Sequence, residues 1–178
     1  MGSSGVAMSG NIPPQNTAHP PAKSDADPQR TAVHEAGHAV VAFVLGRPVA
    51  NVSIRARGRF AGLCRFQKGK GKQTEDFVDR EMQISLAGVA AEIRLLGRAD
   101  AGGAQSDLIR AMDLALMRSG TREKGERLVR RTLDKVLHFL DQPGRWPAVL
   151  VIMEELIAKE TISGRAVSHF VLEAKKRV

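Results

Sequence analysis

Two histidines and a glutamate capable of metal chemistry stand close together near the start of the chain, at His34, Glu35 and His38. On a helix, side chains four positions apart project from the same face. Two imidazoles in that arrangement can bind one Zn2+ and supply half of a tetrahedral site. A carboxylate beside the first histidine can take a proton from water activated by the metal. The segment therefore predicts two zinc ligands and a general base.

The pattern His-Glu-x-x-His requires a helix, and helix signals lie on both sides of it. Asp27 can cap the N-terminus and Pro28 suits the first turn. Gly46 can end the helix near Leu45, and Pro48 prevents its continuation. The competing interpretation is an ordinary helix with one core histidine and one exposed histidine. The clear helix signals favour the metal site.

The rest of the chain predicts a mostly α fold with a small β-hairpin. Residues 1–26 are rich in Gly, Ser, Pro and Asn and are expected to form a disordered leader, followed by a single domain over residues 27–178. Apolar alternation between residues 49 and 66 indicates two strands joined around Arg57–Arg59. Five further helices are expected at about residues 75–96 (capped by Thr74), 106–120, 122–140 and 147–159, and from Ser163–Gly164 onwards.

Small residues indicate a close helix contact. Gly37 costs helix stability inside the histidine segment, which suggests that another backbone packs against it. The stretch Leu86–Glu92 consists mostly of small residues and could supply that backbone. Cys64 is expected to be a buried small apolar residue in the second strand and not a nucleophile.

Composition limits the classes of function. A net charge of +8 permits nucleic acid as a partner, but aromatic residues make up only 4% of the chain and tyrosine is absent, so base stacking is poorly supplied. The basic residues that such a binder would use are Arg55, Arg57, Arg59, Lys68, Lys70 and Lys72. One cysteine excludes an intrachain disulfide, and the longest apolar run, Ala39–Leu45, is too short to span a bilayer. A cytoplasmic protein without a membrane span is expected.

A third ligand is needed, because catalytic zinc usually has three protein ligands and an open position. Glu92 and Asp107 are the downstream acids in suitable settings. Asp107 follows Gly102–Gly103 at a loop-to-helix junction, whereas Glu92 in mid-helix could instead orient a ligand histidine by a hydrogen bond. Asp107 could also be an ordinary acid at a helix start. Spacing alone does not separate these alternatives.

Four segments, in order, resemble the peptidase domain of FtsH-type AAA+ zinc proteases, which are membrane-anchored. They are Thr31–Ala39 around the histidines, Ser85–Glu92, Gly103–Leu108 with the sequence Gly-Ala-Gln-Ser-Asp-Leu, and Glu160–Gly164. The resemblance extends over about residues 29–178. It implies that His34, His38 and Asp107 bind zinc, that Glu35 is the general base and that the fold is helical with a small hairpin. The ATPase module and transmembrane helices of that family have no counterpart in these residues.

The expected function is that of a zinc metalloendopeptidase, which hydrolyses flexible or unfolded polypeptides through a metal-activated water. An extended substrate could pair with the edge strand near Leu63–Phe66. The alternative is a non-catalytic or regulatory assembly module related to these proteases, with a structural zinc. Glu35 favours catalysis, because a structural site needs no base. A separate AAA+ ATPase, an FtsH-type partner and a homo-oligomer are conceivable partners; nucleic acid ranks last.

Overall fold

The computed structural model describes residues 27–55, 61–67, 76–100 and 102–177. The leader, the turn at Arg57–Arg59, the basic residues 68–72 and the Thr74 cap lie outside the described residues. Within these ranges the chain forms six helices and three strands, in agreement with the predicted mostly helical fold. The helices are α1 (Pro28–Val44), α2 (Asp76–Leu96), α3 (Gln105–Ser119), α4 (Arg122–Asp141), α5 (Arg145–Lys159) and α6 (Gly164–Lys176); the strands are β1 (Val49–Ser53), β2 (Leu63–Phe66) and β3 (Thr161–Ser163).

Helix α1 has the ends that its sequence predicts. The Asp27 side chain accepts a hydrogen bond from the Gln29 backbone N–H at 3.0 Å, and Pro28 occupies the first turn. Gly46 follows the helix with a φ of +73°, a conformation that glycine adopts without steric cost. Residues 32–42 are all buried, so α1 is a central helix surrounded by other elements.

Helices α1 and α2 approach closely, as the small residues predict. A Cβ atom at Gly37 would lie 2.6 Å from the Ala87 carbonyl oxygen and 2.6 Å from the Ala91 Cβ. Only a glycine at this position lets the two helices approach to this distance. The contact places the histidine segment of α1 directly against α2.

The C-terminal half of the chain covers the remaining surface of α1. Helix α5 contributes fully buried residues, including Val149, Ile152 and Leu156, to the same core as Val40 of α1. Helix α5 begins at Arg145, slightly before the predicted start at residue 147, and Gly144 precedes it with a φ of +77°. The core therefore joins elements from both halves of the sequence.

The sheet has three strands in the order β2-β1-β3, one more than the predicted hairpin. Both neighbours of β1 are antiparallel to it, and Val52 pairs with Cys64 on one side and with Ile162 on the other. The third strand is too short to show an alternating pattern, and its pairing with β1 is entirely non-local. Helix α6 begins at Gly164, as predicted, and the Ser163 side chain caps it by accepting a hydrogen bond from the Ala166 N–H.

None of the helices in the described ranges is both long enough and apolar enough to span a membrane.

Candidate metal centre

Three donor atoms from α1 and α3 converge at one point. The Nε2 atoms of His34 and His38 lie 3.0 Å apart. An Asp107 carboxylate oxygen lies 2.9 Å from the first and 3.2 Å from the second. In the described part of the chain, these residues form the group of ligand-type side chains that is close enough to share one metal ion.

Hydrogen bonds at the opposite ring nitrogens fix the two histidines. The Nδ1 atom of His34 lies 2.7 Å from a Glu92 carboxylate oxygen, and the Nδ1 atom of His38 lies 2.7 Å from the Ile84 carbonyl oxygen. Both partners can only accept, so each Nδ1 must donate its proton. When the rings are neutral, each Nε2 therefore carries a lone pair that faces the other Nε2 and Asp107.

This donor set fits a zinc ion. Two lone pairs and a carboxylate oxygen within hydrogen-bond distance repel one another unless a cation or a proton lies among them. Tetrahedral zinc, with ligand distances of about 2.0–2.2 Å, requires ligand atoms ~3.3 Å apart. The observed separations of 2.9, 3.0 and 3.2 Å are close to that spacing. Two imidazoles and one carboxylate also match the ligand types that zinc prefers.

Glu92 links the histidine to the loop that carries the aspartate. Its side chain, which is 2% exposed, accepts hydrogen bonds from His34, from the Arg30 guanidinium at 2.7 Å and from the Asp100 backbone N–H at 2.9 Å. Asp100 in turn accepts a hydrogen bond from the Gly103 N–H, just before α3. Glu92 thus contacts the far side of the His34 ring, while Asp107 is the acid beside both Nε2 atoms.

The carboxylates of Asp107, Glu92 and Glu35 stabilise a positive charge on the His34 ring. Burial by itself would lower the pKa of His34, but hydrogen bonds to Asp107 and Glu92, with the charge of Glu35, raise it to about 10. Burial would raise the pKa of Asp107, yet the two histidines hold it well below its usual range. The same negative charges would stabilise a metal cation held by these residues.

Glu35 lies in the wall beside these donors and is 7% exposed. Burial raises its pKa; the charges of His38 and His34 oppose the shift without cancelling it. A raised pKa makes a carboxylate a stronger base near neutral pH. A Cβ at Gly62 would lie 2.7 Å from a Glu35 carboxylate oxygen, so a glycine is required where the chain crosses this side chain.

Helix α2 has a glycine, Gly88, where it passes the Nε2 atom of His34. A Cβ at Gly88 would lie 2.4 Å from the Nε2 atom of His34. The sequence showed Gly88 only as one of several small residues, and it gave no sign that Arg30 and Gly62 contact Glu92 and Glu35. Each of these contacts joins segments distant in sequence, so local patterns could not reveal them.

A cleft of about 880 Å³ opens onto this group of residues. Its walls include His34, Glu35 and Asp107 from the helices and Leu63, Cys64 and Phe66 from β2. Cys64 is half-buried on this wall, whereas the sequence predicted a buried residue. It lines the cleft and also packs against the edge of the hydrophobic core. Burial and the charges of Glu35 and Asp107 raise the thiol pKa well above its ordinary value, which keeps the thiol neutral.

The family model of peptidase family M41 matches residues 22–119, which is more than half of the chain. The match includes the histidine segment, the strands β1 and β2, and the whole of α2 and α3. It therefore contains all the residues that converge at the site. The chain belongs to peptidase family M41. The predicted resemblance to the FtsH-type peptidase domain is thereby confirmed.

Individual M41 relatives are named zinc metalloproteases. The chain is 39% identical to the ATP-dependent zinc metalloprotease FtsH of Methylococcus capsulatus over 52% of its length, and 41% identical to FtsH 2 of Symbiobacterium thermophilum over 49%. It spans only 15% of the length of each of these relatives. A longer alignment, to FtsH of Acidimicrobium ferrooxidans, covers 85% of the chain and 29% of that protein at 25% identity.

Proposed function

We propose that this M41 domain is a zinc metalloendopeptidase that hydrolyses peptide bonds in flexible or unfolded polypeptides. His34, His38 and Asp107 hold the metal, Glu35 is the general base and Glu92 orients His34 through Nδ1. The observation that carries the proposal is the convergence of two Nε2 atoms and a carboxylate oxygen within 3.2 Å of one another, beside a buried glutamate.

Bound zinc supplies a Lewis acid that polarises carbonyl groups and lowers the pKa of water towards ~7. Glu35 accepts the proton of the attacking water and passes it to the amine that leaves when the peptide bond breaks. Its burial supports both steps, because a carboxylate with a raised pKa can accept a proton and then retain it until the amine departs. The Nδ1 hydrogen bonds keep both histidines in the tautomer that exposes Nε2.

An extended polypeptide binds along β2. This strand pairs with β1 on one side and, among the described residues, forms the edge of the sheet on the other; its residues line the cleft. Backbone hydrogen bonds at such an edge hold a substrate without demanding a particular sequence. This geometry suits flexible chains, because a folded substrate cannot present an extended segment.

Polypeptides reach this cleft from an ATP-driven unfolding module. The curated relatives carry the description ATP-dependent, and this chain matches a small part of each. The module is either a separate AAA+ ATPase or an FtsH-type partner, and a homo-oligomer of this domain is compatible with both.

The decisive experiment compares the zinc-loaded wild type with Glu35→Gln on an unfolded protein substrate without ATP. Glutamine keeps the shape of the side chain but cannot accept a proton, so we expect zinc to remain bound and hydrolysis to fall by at least about 100-fold. Metal content is measured by mass spectrometry, and cleavage by gel electrophoresis and peptide mapping.

Glu154→Gln is the matched control, because Glu154 is exposed on α5. Hydrolysis by Glu35→Gln at the wild-type rate would refute the role of Glu35. If neither protein cleaves while both bind zinc, an added AAA+ partner tests whether delivery is required. Continued inactivity would favour the assembly module.

A further inference from the structure

Ser85 of α2 is buried beside the candidate metal centre, and the proposed chemistry does not use it. The residue is 4% exposed and lines the cleft. Its hydroxyl makes no hydrogen bond to any residue that the structure describes. The unpartnered side-chain atoms that are completely shut off from solvent in these ranges belong to other residues, so the Ser85 oxygen still reaches the open space of the cleft.

Two other hydroxyl groups inside helices show what a buried serine or threonine ordinarily does. Thr132 of α4 donates to the Leu128 carbonyl at 2.9 Å, and Ser168 of α6 donates to the Gly164 carbonyl at 3.0 Å. Each uses the carbonyl four residues earlier in its own helix. The Ser85 hydroxyl makes no such bond. A buried polar group without a partner requires an explanation, and a group that binds in the cleft provides one.

The position of Ser85 on α2 places it on the side of the metal centre. Gly88 and Glu92 follow it by three and seven residues, a spacing that puts all three on one face of the helix. A Cβ at Gly88 would lie 2.4 Å from Nε2 of His34, and Glu92 contacts Nδ1 of the same ring. The residue just before Ser85 holds His38 through its backbone carbonyl. Ser85 therefore belongs to the face of α2 that meets the two histidines.

The cleft walls offer few other buried donors among the described residues. Arg30 and Arg110 line the cleft, but each is paired with a glutamate, at 2.7 and 3.0 Å. The carboxylates of the metal centre can accept hydrogen bonds but cannot donate them when ionised. The remaining lining residues with a hydroxyl or amide side chain lie in half-buried or exposed positions, at Thr31, Gln105 and Ser106.

We propose that the Ser85 hydroxyl donates a hydrogen bond to a backbone carbonyl of the polypeptide bound in the cleft. An extended chain carries a carbonyl oxygen at every residue, and such an oxygen accepts readily from a hydroxyl. The bond fixes the position of the chain along the cleft relative to the metal centre. Ser85 is thus a substrate-binding residue. The inference rests on the proposed function for the nature of the ligand.

Ser85→Ala has an expected effect on stability that separates binding from a structural role. Without peptide, the change removes a buried hydroxyl that has no described partner and introduces the best helix-forming residue. The midpoint of urea denaturation should therefore equal or exceed that of the wild type. A hydroxyl that stabilises the fold through a hydrogen bond would give a lower midpoint instead.

Peptide affinity is measured by fluorescence anisotropy with zinc-loaded Glu35→Gln, so that the result does not depend on cleavage. Adding Ser85→Ala in this background should weaken binding about three- to tenfold, as expected for the loss of one neutral hydrogen bond. Ser168→Ala is the matched control, because it removes the same hydroxyl from a helix residue that does not line the cleft, and the affinity should not change. Zinc content should be the same in all three proteins.

Peptides with a single thioamide identify the carbonyl. Sulfur in a thioamide accepts a hydrogen bond more weakly than oxygen does, so replacement at one position should lower the affinity of the protein that retains Ser85. The same replacement should have a smaller effect on Ser85→Ala, because the donor is already missing. Such coupling between a protein change and a peptide change indicates a direct contact.

Four results would overturn the inference: no measurable peptide binding, equal affinity with and without Ser85, a lower urea midpoint, or loss of zinc from Ser85→Ala. Thioamide effects that are identical in both proteins would do the same. If the wild type cleaves peptides but Ser85→Ala shows no coupling, the inference fails and the proposed hydrolysis stands. If the wild type cleaves no peptide although the coupling is present, the hydrolysis fails and the Ser85 contact stands.

Discussion

Glu92 accepts hydrogen bonds from three separate parts of the chain: the His34 ring, the Arg30 guanidinium and the Asp100 backbone. Burial would raise its pKa, but these hydrogen bonds lower the pKa below its ordinary value and keep the side chain ionised. An ionised partner at Nδ1 makes the opposite nitrogen of His34 a better metal donor. Glu92 is therefore a positioning residue in the proposed site.

Glu92→Gln should weaken zinc binding roughly 10- to 100-fold, because an amide oxygen stabilises the donating Nδ1–H less than a carboxylate does. Titration against a chelator of known affinity measures the change, with Glu154→Gln as the exposed control. Circular dichroism establishes that the variant is folded. A zinc affinity equal to that of the wild type would exclude the positioning role.

Cys64 allows a pH prediction, because it is the single cysteine of the chain. Its raised pKa means that at pH 8 the reactive thiolate is scarcer than in an unfolded chain. Alkylation by iodoacetamide should therefore be slow in the folded protein and fast in urea, and the folded rate should rise as the pH increases above 8. Rates are followed by mass spectrometry.

Removing a negative charge beside the thiol should lower its pKa again. Glu35→Gln is expected to react with iodoacetamide faster than the wild type, because the charge of Glu35 contributes to the raised thiol pKa. Glu154→Gln serves as the control once more. A folded wild type that reacts as fast as the urea-unfolded chain would contradict the raised pKa.

At the scale of elements, the contact between α1 and α2 sets the position of the site. Helix α1 supplies both histidines, while α2 supplies the Ile84 carbonyl and Glu92 that orient them. The two helices can do so only because Gly37 and Gly88 lack side chains at the points of closest approach.

Gly37→Ala tests this contact. Its new methyl group would lie 2.6 Å from a backbone carbonyl that cannot move freely, so we expect a loss of about 1–3 kcal/mol in the free energy of unfolding. Gly125→Ala in α4 is the matched control: its nearest neighbour would be at 3.4 Å, an ordinary contact, and alanine favours a helix by about 0.5–1 kcal/mol.

The control should therefore be neutral or more stable, while Gly37→Ala is destabilised. Urea denaturation of both variants measures the difference. Equal stability of the two variants would show that α1 and α2 do not approach as closely as this structure has them.

At the scale of the whole molecule, the family model matches residues only up to 119, whereas the hydrophobic core also contains residues beyond that point. Helix α5 packs its buried residues, including Ile152 and Leu156, against α1, and β3 completes the sheet. The C-terminal third therefore stabilises the fold around a site whose proposed ligands all lie before residue 120.

A chain truncated after Ser119 should fail to fold cooperatively and should bind zinc at least about 100-fold more weakly, although it keeps all the proposed ligands. Losing α5 and α6 exposes several core side chains, each worth about 1.5–3 kcal/mol. Thermal unfolding and chelator titration of the truncated and full-length chains provide the measurement. A truncated chain with a sharp unfolding transition and full zinc affinity would refute this dependence.

The sequence predicted the elements whose signals are local. Asp27, Pro28 and Gly46 define the ends of α1, and the spacing of His34 and His38 places both imidazoles on one face of it. Ser163 likewise caps α6. These signals are reliable because each depends on residues within a few positions of one another.

The third strand and the half-buried position of Cys64 could not be predicted in this way. Thr161–Ser163 becomes a strand only because β1 lies beside it, and Cys64 borders the cleft because β2 forms one wall of it opposite residues of α1 and α3. Both depend on pairings between segments far apart in the chain, for which no local pattern exists.

The sequence by itself was enough to identify the family. It also predicted that His34, Glu35 and His38 lie on one helix with both imidazoles on the same face. Spacing did not separate the two candidate acids and the resemblance only implied Asp107 as a ligand, so the tertiary structure decided how they are placed. It brings Asp107 to the Nε2 atoms and Glu92 to the opposite nitrogen of His34. The physical reason is that each histidine has two nitrogens pointing in opposite directions. Only the packing of α2 and α3 against α1 determines which acid meets which nitrogen.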